Sequence, residues 1–209
     1  MTAALLSARA TGIGQVVDAA MVDGAALLAA MFSGFVAAGQ WSEERGTNIL
    51  DTGAPWYDVY QTADGKYVSI GAIEEKFFAE LASRLKLADL PPQHDRARWP
   101  EMRERLSRAF KAKTRDEWCR VFAGSDACFA PVLSWSEARA HEHQQSRKSY
   151  VEVAGVEQPA PAPRFSRTAP GVRRAPPERG QGGAAALAEW GFDAAGVKRL
   201  ESLGLGTKE

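Results

Sequence analysis

The sequence predicts an α/β fold in three parts. A small α+β domain of hairpins and helices is preceded by a long linker helix and followed by a Pro-rich strap with helices of its own. Three observations predict this. Asp64-Gly65 separates two runs of β-forming residues, Tyr57–Thr62 and Tyr67–Ala72, a strong short-range hairpin signal. Ile73, Phe77, Phe78, Leu81 and Leu85 then recur at helical spacing. At Pro159 the composition shifts: Pro159-Ala160-Pro161-Ala162-Pro163, and later Pro176-Pro177, favour an extended strap made basic by Arg164, Arg167, Arg173 and Arg174.

Taken in order, Thr2–Ala10 reads as the last turns of a helix that Gly12 and Gly14 end, with no cationic start of the secretory kind. Gln15-Val16-Val17-Asp18 is expected to form a short strand, with Asp18 capping an apolar helix that runs to about Gln40. Its apolar residues go all the way round, so it is expected to be packed on several sides, with another chain as one means of covering it. Trp41–Ala54 is polar and turn-like, ahead of the hairpin and its helix. Pro91-Pro92 breaks the chain, and Met102, Leu106 and Phe110 mark one face of a charged helix. Thr114 and Glu117 make a capping box for a helix carrying Trp118, Val121 and Phe122.

Cys128–Leu133 reads as a strand that Pro131 confines to an edge or an end. Ser136 is expected to cap a short helix through His141. Tyr150–Val153 and Val156–Gln158 form a second hairpin around Ala154-Gly155. A helical pair closes the chain, Ala184–Trp190 and then Ala194–Leu203, with Asp193 as cap and Gly204 as stop. These signals divide the chain into 1–14, the remnant of a larger domain's last helix; 15–55, the strand, linker helix and loop; 56–158, the small α/β domain; and 159–209, the strap and final helices. The flanking pieces read as parts of something larger, and the chain is expected to be incomplete at its N-terminus.

Charge balances, 26 basic against 26 acidic residues among 209, so nothing points to nucleic acid or to a basic partner. Gly24–Ser42 is uncharged but rich in Ala and Gly and flanked by no positive cluster. A buried helix of a soluble protein is expected there, not a membrane span. Two cysteines, Cys119 and Cys128, and no signal peptide suggest a reducing compartment, and the chain is expected to be cytoplasmic. His141 and His143 have no common zinc-site spacing, and no metal is expected. Glu74 is expected in the first turn of the helix that follows the hairpin's second strand, beside unpaired backbone N–H groups and the positive dipole end that favour its carboxylate form. A proton-abstracting base and a simple complement to the helix dipole are both compatible with that position.

Several stretches share an order with one family. Gly14-Gln15-Val16-Val17-Asp18-Ala19-Ala20-Met21-Val22-Asp23-Gly24, Asn48-Ile49-Leu50-Asp51-Thr52-Gly53-Ala54-Pro55-Trp56-Tyr57 and Gly71-Ala72-Ile73-Glu74 come first. The stretches from Phe122 to Leu133 and from Gln158 to Ser166 follow. From about Thr11 onward the chain resembles the α-methylacyl-CoA racemases of the class III CoA-transferase (CaiB/BaiF-type) superfamily, in their C-terminal portion. The resemblance implies 1,1-proton transfer at the α-carbon of a 2-methylacyl-CoA through an enolate. Glu74 serves one face, and Met21, Ile49, Leu50, Tyr57 and Ile73 line an apolar surface for the acyl chain. It implies no cofactor beyond the coenzyme A of the substrate. It also implies an interlocked homodimer, or assembly with the N-terminal half, which in the family carries the opposing His–Asp pair. None of His94, His141 or His143 falls on that motif. A CoA-transferase of the same superfamily and a truncated, non-catalytic interaction module are the alternatives. Against the transferase, the Gly-rich loop usual there is missing at Gly71-Ala72-Ile73-Glu74.

Overall fold

A computed structural model describes residues 1–172 and 174–204. The chain divides into two compact units, Met1–Val132 and a second beginning at Leu133.

The first unit is organised by a three-stranded antiparallel sheet, β1 (Tyr57–Gln61), β2 (Tyr67–Gly71) and β3 (Phe129–Pro131), in that order across the sheet. Tyr60 pairs with Val68, and Ile70 lies two residues further on, so all three side chains enter the core from one face. The β1–β2 turn is a three-residue loop. Gly65 N–H reaches Thr62 O, Thr62 N–H reaches Lys66 O, and Gly65 takes φ 75°, which glycine adopts without a Cβ clash. Asp64 caps this turn by accepting from the Thr62 hydroxyl. β3 is an edge strand, which is where Pro131 is tolerated.

Three helices cover the sheet: α4 (Glu75–Leu85), α5 (Trp99–Phe110) and α6 (Arg115–Phe122). Leu81 and Leu85 are buried on α4, Met102, Leu106 and Phe110 on α5, and Trp118 and Phe122 on α6. An aromatic ladder ties the layers together. Tyr60 stacks on Phe110 at 5.3 Å, Phe110 meets Trp118 edge-on at 5.4 Å, and Phe122 stacks on Phe129 at 4.3 Å. The predicted capping box forms, with Thr114 and Glu117 each satisfying the other's backbone N–H.

Ahead of this core, α1 (Thr2–Thr11) ends in a left-handed Gly12, as its sequence predicts. The residues after it depart from expectation. Gln15–Asp18 forms no strand, and Asp18 caps nothing: the next helix begins at Met21 with Ala20 as its cap residue. The single long helix is two, α2 (Met21–Leu28) and α3 (Ala30–Ala37), separated where the backbone tightens at Ala29 (φ −83°, ψ 1°). Neither helix buries a residue within this chain, contrary to the expected buried helix. Phe32 and Phe35 meet Trp41, while Met21, Val22, Leu27, Leu28, Met31 and Val36 are exposed. Among the described residues no helix is long and apolar enough to cross a membrane.

In the second unit, α7 (Trp135–Ala140) is capped by Ser134, not Ser136, through a box with Glu137. An additional short helix, α8 (Glu142–Arg147), follows with His141 at its cap. The second hairpin forms as predicted, β4 (Tyr150–Val153) against β5 (Val156–Pro159), turned by Ala154 and Gly155 at φ 53° and 77°. Arg139 bridges to Glu157 of β5 at 3.1 Å. The closing pair is α9 (Gly183–Glu189) and α10 (Ala194–Ser202), with Asp193 accepting from Gly196 N–H.

Phe110 is fully buried between Tyr60 and Trp118, so Phe110→Ala is expected to destabilise the first unit by about 3–5 kcal/mol. Urea unfolding followed by tryptophan fluorescence checks this.

Candidate active site

Glu74 does not lie in the first turn of α4, where the sequence predicts it, but one position before it, as the cap residue. Its backbone is extended (φ −77°, ψ 142°) and its side chain makes no capping hydrogen bond. Its carbonyl instead accepts from Phe77 and Phe78 N–H, both at 3.0 Å. The first-turn acid facing the helix dipole is Glu75, which leaves the exposed Glu74 carboxylate uncommitted to the helix. The segment before it is tightly held. Gly71 N–H reaches Cys128 O at 2.9 Å, Ala72 N–H reaches Trp56 O at 3.1 Å, and the Gln93 amide donates to Ala72 O and Ile73 O at 2.9 and 2.8 Å.

Two depressions flank this segment. One, of about 390 Å³, lies on the solvent face of the sheet between Leu50, Tyr57, Val59, Ser69, Gly71 and Cys128. Tyr57 lies opposite Gly71 in the register, its ring so close that a Cβ there would sit 3.5 Å from it. Burial pushes the Cys128 thiol up, and the charges of Asp126 and Glu74 push it further. The second, of about 480 Å³, is more enclosed and mostly apolar. Met31, Phe35, Trp41, Ile49, Leu50, Ile73 and Trp99 line it, with Gln40, His94 and Arg96 as its polar members. Arg96 lies over the Trp99 ring at 5.3 Å.

The sequence-predicted residues are therefore partly gathered. Ile49, Leu50 and Ile73 share the apolar depression, and Leu50 also borders the one that Tyr57 lines. Glu74 follows Ile73 directly in the chain. Met21, 90% exposed at the start of α2, lines neither depression. Sequence reasoning missed Trp41, Trp99 and Gln93. The tryptophans read as loop and helix residues, and Gln93 follows a Pro-Pro break with no local pattern to single it out.

The loop that presents Ile49 and Leu50 is built on Asn48 and Asp51. Asn48 is buried. It donates to Ser42 O and Asp51 and accepts from Ser42 N–H, while Asp51 accepts from the backbone of Asn48 and Gly46. Burial alone would raise the Asp51 carboxyl. The Asn48 side chain and the backbone of Asn48, Gly46 and Gly53 outweigh it and hold the group below the usual carboxylate range. Thr52 takes a left-handed φ of 77°, and Arg103 of α5 donates to its carbonyl and to that of Gly53 while pairing with Asp58 of β1. At Gly53 a Cβ would stand 2.4 Å from Asn48 O, so the loop closes only with glycine there. Among the described residues no group of three or more His, Cys, Asp or Glu is placed to hold a metal ion, and both cysteines are free thiols.

The solved structures that resemble this fold include a CaiB/BaiF family protein from Brucella suis, at a TM-score of 0.69 and 21% identity over 90% of this chain and 51% of that one. Rv3272 from Mycobacterium tuberculosis matches at a TM-score of 0.65 and 22% identity, over 89% of this chain and 49% of that one. At such identities the likeness is one of fold, and it defines this architecture as part of the class III CoA-transferase fold. The family model for CoA-transferase family III matches residues 1–182, and the chain belongs to that family. Among its relatives, the mouse protein named alpha-methylacyl-CoA racemase is 41% identical over 204 residues, 95% of this chain and 53% of the relative. The human protein of the same name is 38% identical over the same shares. An acyl-CoA transferase from Fusarium pseudograminearum is 27% identical over 71% of this chain and 36% of its own length. The chain thus spans about half the length of the racemases it matches.

Two outcomes test the loop. A depressed carboxyl adds stability above the ordinary carboxylate range and loses it as pH falls through its lowered value. Asp51→Asn is therefore expected to lower the melting temperature at pH 7 and to flatten its decline below about pH 4, measured by calorimetry across pH. Gly53→Ala is expected to destabilise by roughly 1–3 kcal/mol, read by urea unfolding, because backbone atoms must move.

Proposed function

We propose that this chain supplies one proton-handling side of a 2-methylacyl-CoA epimerase. Identity of 41% and 38% to proteins named alpha-methylacyl-CoA racemase, across 95% of the chain, carries the reading. The Glu74 carboxylate removes the α-proton of the thioester, whose acidity comes from delocalising the resulting charge into the thioester carbonyl as an enolate. A donor on the opposite face returns a proton to that carbon, and inversion follows. The same carboxylate, protonated, serves as donor in the reverse sense. By the resemblance of the sequence, the opposing group is a His–Asp pair in the N-terminal half of the fold, supplied by a longer form of the chain or by assembly with that half. In the same reading two subunits interlock, and Glu74 completes a partner's site.

What supports Glu74 in this role is its exposed carboxylate, free of capping duty, on a backbone pinned on both sides. Ile73, Ile49 and Leu50 lead from it into an apolar depression suited to the acyl chain, with Tyr57 across the sheet face. Met21 belongs to the same lining once the exposed α2 surface is covered. The coenzyme A of the substrate is the only cofactor, and the compartment is the cytoplasm. The transferase relative supports a second reading, transfer of CoA between acids, which needs a carboxylate nucleophile outside these residues. The exposed apolar faces of α2 and α3 favour a third, a non-catalytic interaction module.

Wash-out of the α-proton from a 2-methylacyl-CoA in deuterated water, with the N-terminal half present, separates these. From the epimer whose proton Glu74 removes, Glu74→Gln is expected to slow it by about 10²–10⁴-fold with the fold retained. Unchanged wash-out in that variant removes Glu74 from the mechanism. CoA transfer to an added acid without wash-out supports the transferase, and neither reaction from folded protein supports the module.

A further inference from the structure

We propose that Gln93 is a positioning residue for the Glu74 carboxylate, a role that rests on Glu74 being the base described above. Gln93 stands nineteen positions beyond Glu74, outside the segment that carries it. Its side-chain amide has two hydrogens, and both are used: Nε2 donates to Ala72 O at 2.9 Å and to Ile73 O at 2.8 Å. The Ile73 carbonyl belongs to the same rigid peptide plane as the Glu74 nitrogen, so holding that oxygen fixes the plane from which the Glu74 Cα departs. On the other side, the Glu74 carbonyl is held by Phe77 and Phe78 N–H. Both peptide planes around the Glu74 Cα are thus set, and only side-chain torsions remain to aim the carboxylate.

Gln93 is itself anchored. Its main-chain carbonyl accepts from the indole N–H of Trp56 at 3.0 Å and of Trp99 at 2.9 Å, two buried rings that meet edge-to-face at 6.3 Å. Trp56 also accepts the Ala72 N–H, which closes a loop of hydrogen bonds through Trp56, Gln93 and Ala72. The Gln93 side chain is only 7% exposed, and its Oε1 is buried with no hydrogen-bond partner. An orphaned buried acceptor is costly, and packing alone would be served better by an aliphatic residue of this volume. The two donors to the Glu74 segment are the function that offsets that cost.

The test uses the assembled enzyme and reads α-proton wash-out from each 2-methylacyl-CoA epimer separately. Gln93→Leu keeps volume and removes both donors. It is expected to lower kcat for wash-out from the epimer that Glu74 deprotonates by about ten- to a hundredfold. KM should stay within about twofold, and wash-out from the other epimer should be much less affected. Gln93→Glu supplies a second measurement on a different footing. Protonated, the new carboxyl donates to one of the two carbonyls; ionised, it repels both, and burial raises its pKa. Near-wild-type wash-out at acid pH is therefore expected, with a loss on raising pH that the wild type lacks. Wild-type kcat in Gln93→Leu, where Glu74→Gln slows wash-out from the same epimer, overturns the role of Gln93 alone. Equal loss from both epimers, together with no added pH dependence in Gln93→Glu, reduces it to a structural residue and also overturns it. Where Gln93→Leu does not fold, the pH profile of Gln93→Glu decides. Wash-out from the epimer assigned to Glu74 that survives Glu74→Gln removes the proposed base, and the role of Gln93 with it.

Discussion

The junction at Gln93 is the point through which the first unit's core and its candidate site are joined. Two buried tryptophans, one before β1 and one opening α5, each carry an indole N–H that needs an acceptor once water is gone, and the Gln93 carbonyl meets both. That requirement draws the Pro91–Gln93 turn into the core and docks the start of α5 against the sheet. The Gln93 amide then reaches the two carbonyls between β2 and α4, which have no strand partner of their own. Rigid core and the Glu74 carboxylate are therefore separated by two peptide planes and a single side chain.

The same unit is uneven in what it buries. Around the sheet, the packing of Tyr60, Phe110, Trp118, Phe122 and Phe129 leaves a closed aromatic core. Ahead of it, α2 exposes Met21, Val22, Leu27 and Leu28, and α3 exposes Met31 and Val36. Helices this apolar contribute stability only when their surface is removed from water.

Much of the local structure was legible in the residues. The Asp64-Gly65 and Ala154-Gly155 turns, the Thr114 capping box, the Asp193 cap and the Gly12 stop all formed, because each depends on interactions within a few positions. The failures share a different cause. Asp18 had the chemistry of a cap, yet it stands three positions before Met21, where α2 begins, and Ala20 takes the cap position. Ser134 displaced Ser136 because only the former stands three positions before a glutamate, the spacing a capping box needs. The uninterrupted apolar run from Met21 onward contained no glycine–proline signal at Ala29, so nothing local announced the break there.

By itself, the sequence determined the two hairpins, most of their turns and caps, and the placement of Glu74 between a strand and a helix, since these follow from short-range periodicity and hydrogen bonding. It also determined the family, through ordered motifs spread along the chain. The tertiary structure alone decided that Ile49, Leu50 and Ile73 face one depression with Trp41 and Trp99, that Arg103 holds the loop presenting them, and that Gln93 grips the backbone ahead of Glu74. Those contacts join positions some twenty to fifty residues apart, and which partners meet is set by how the buried aromatic and amide groups find acceptors in a closed core. No local pattern encodes that outcome.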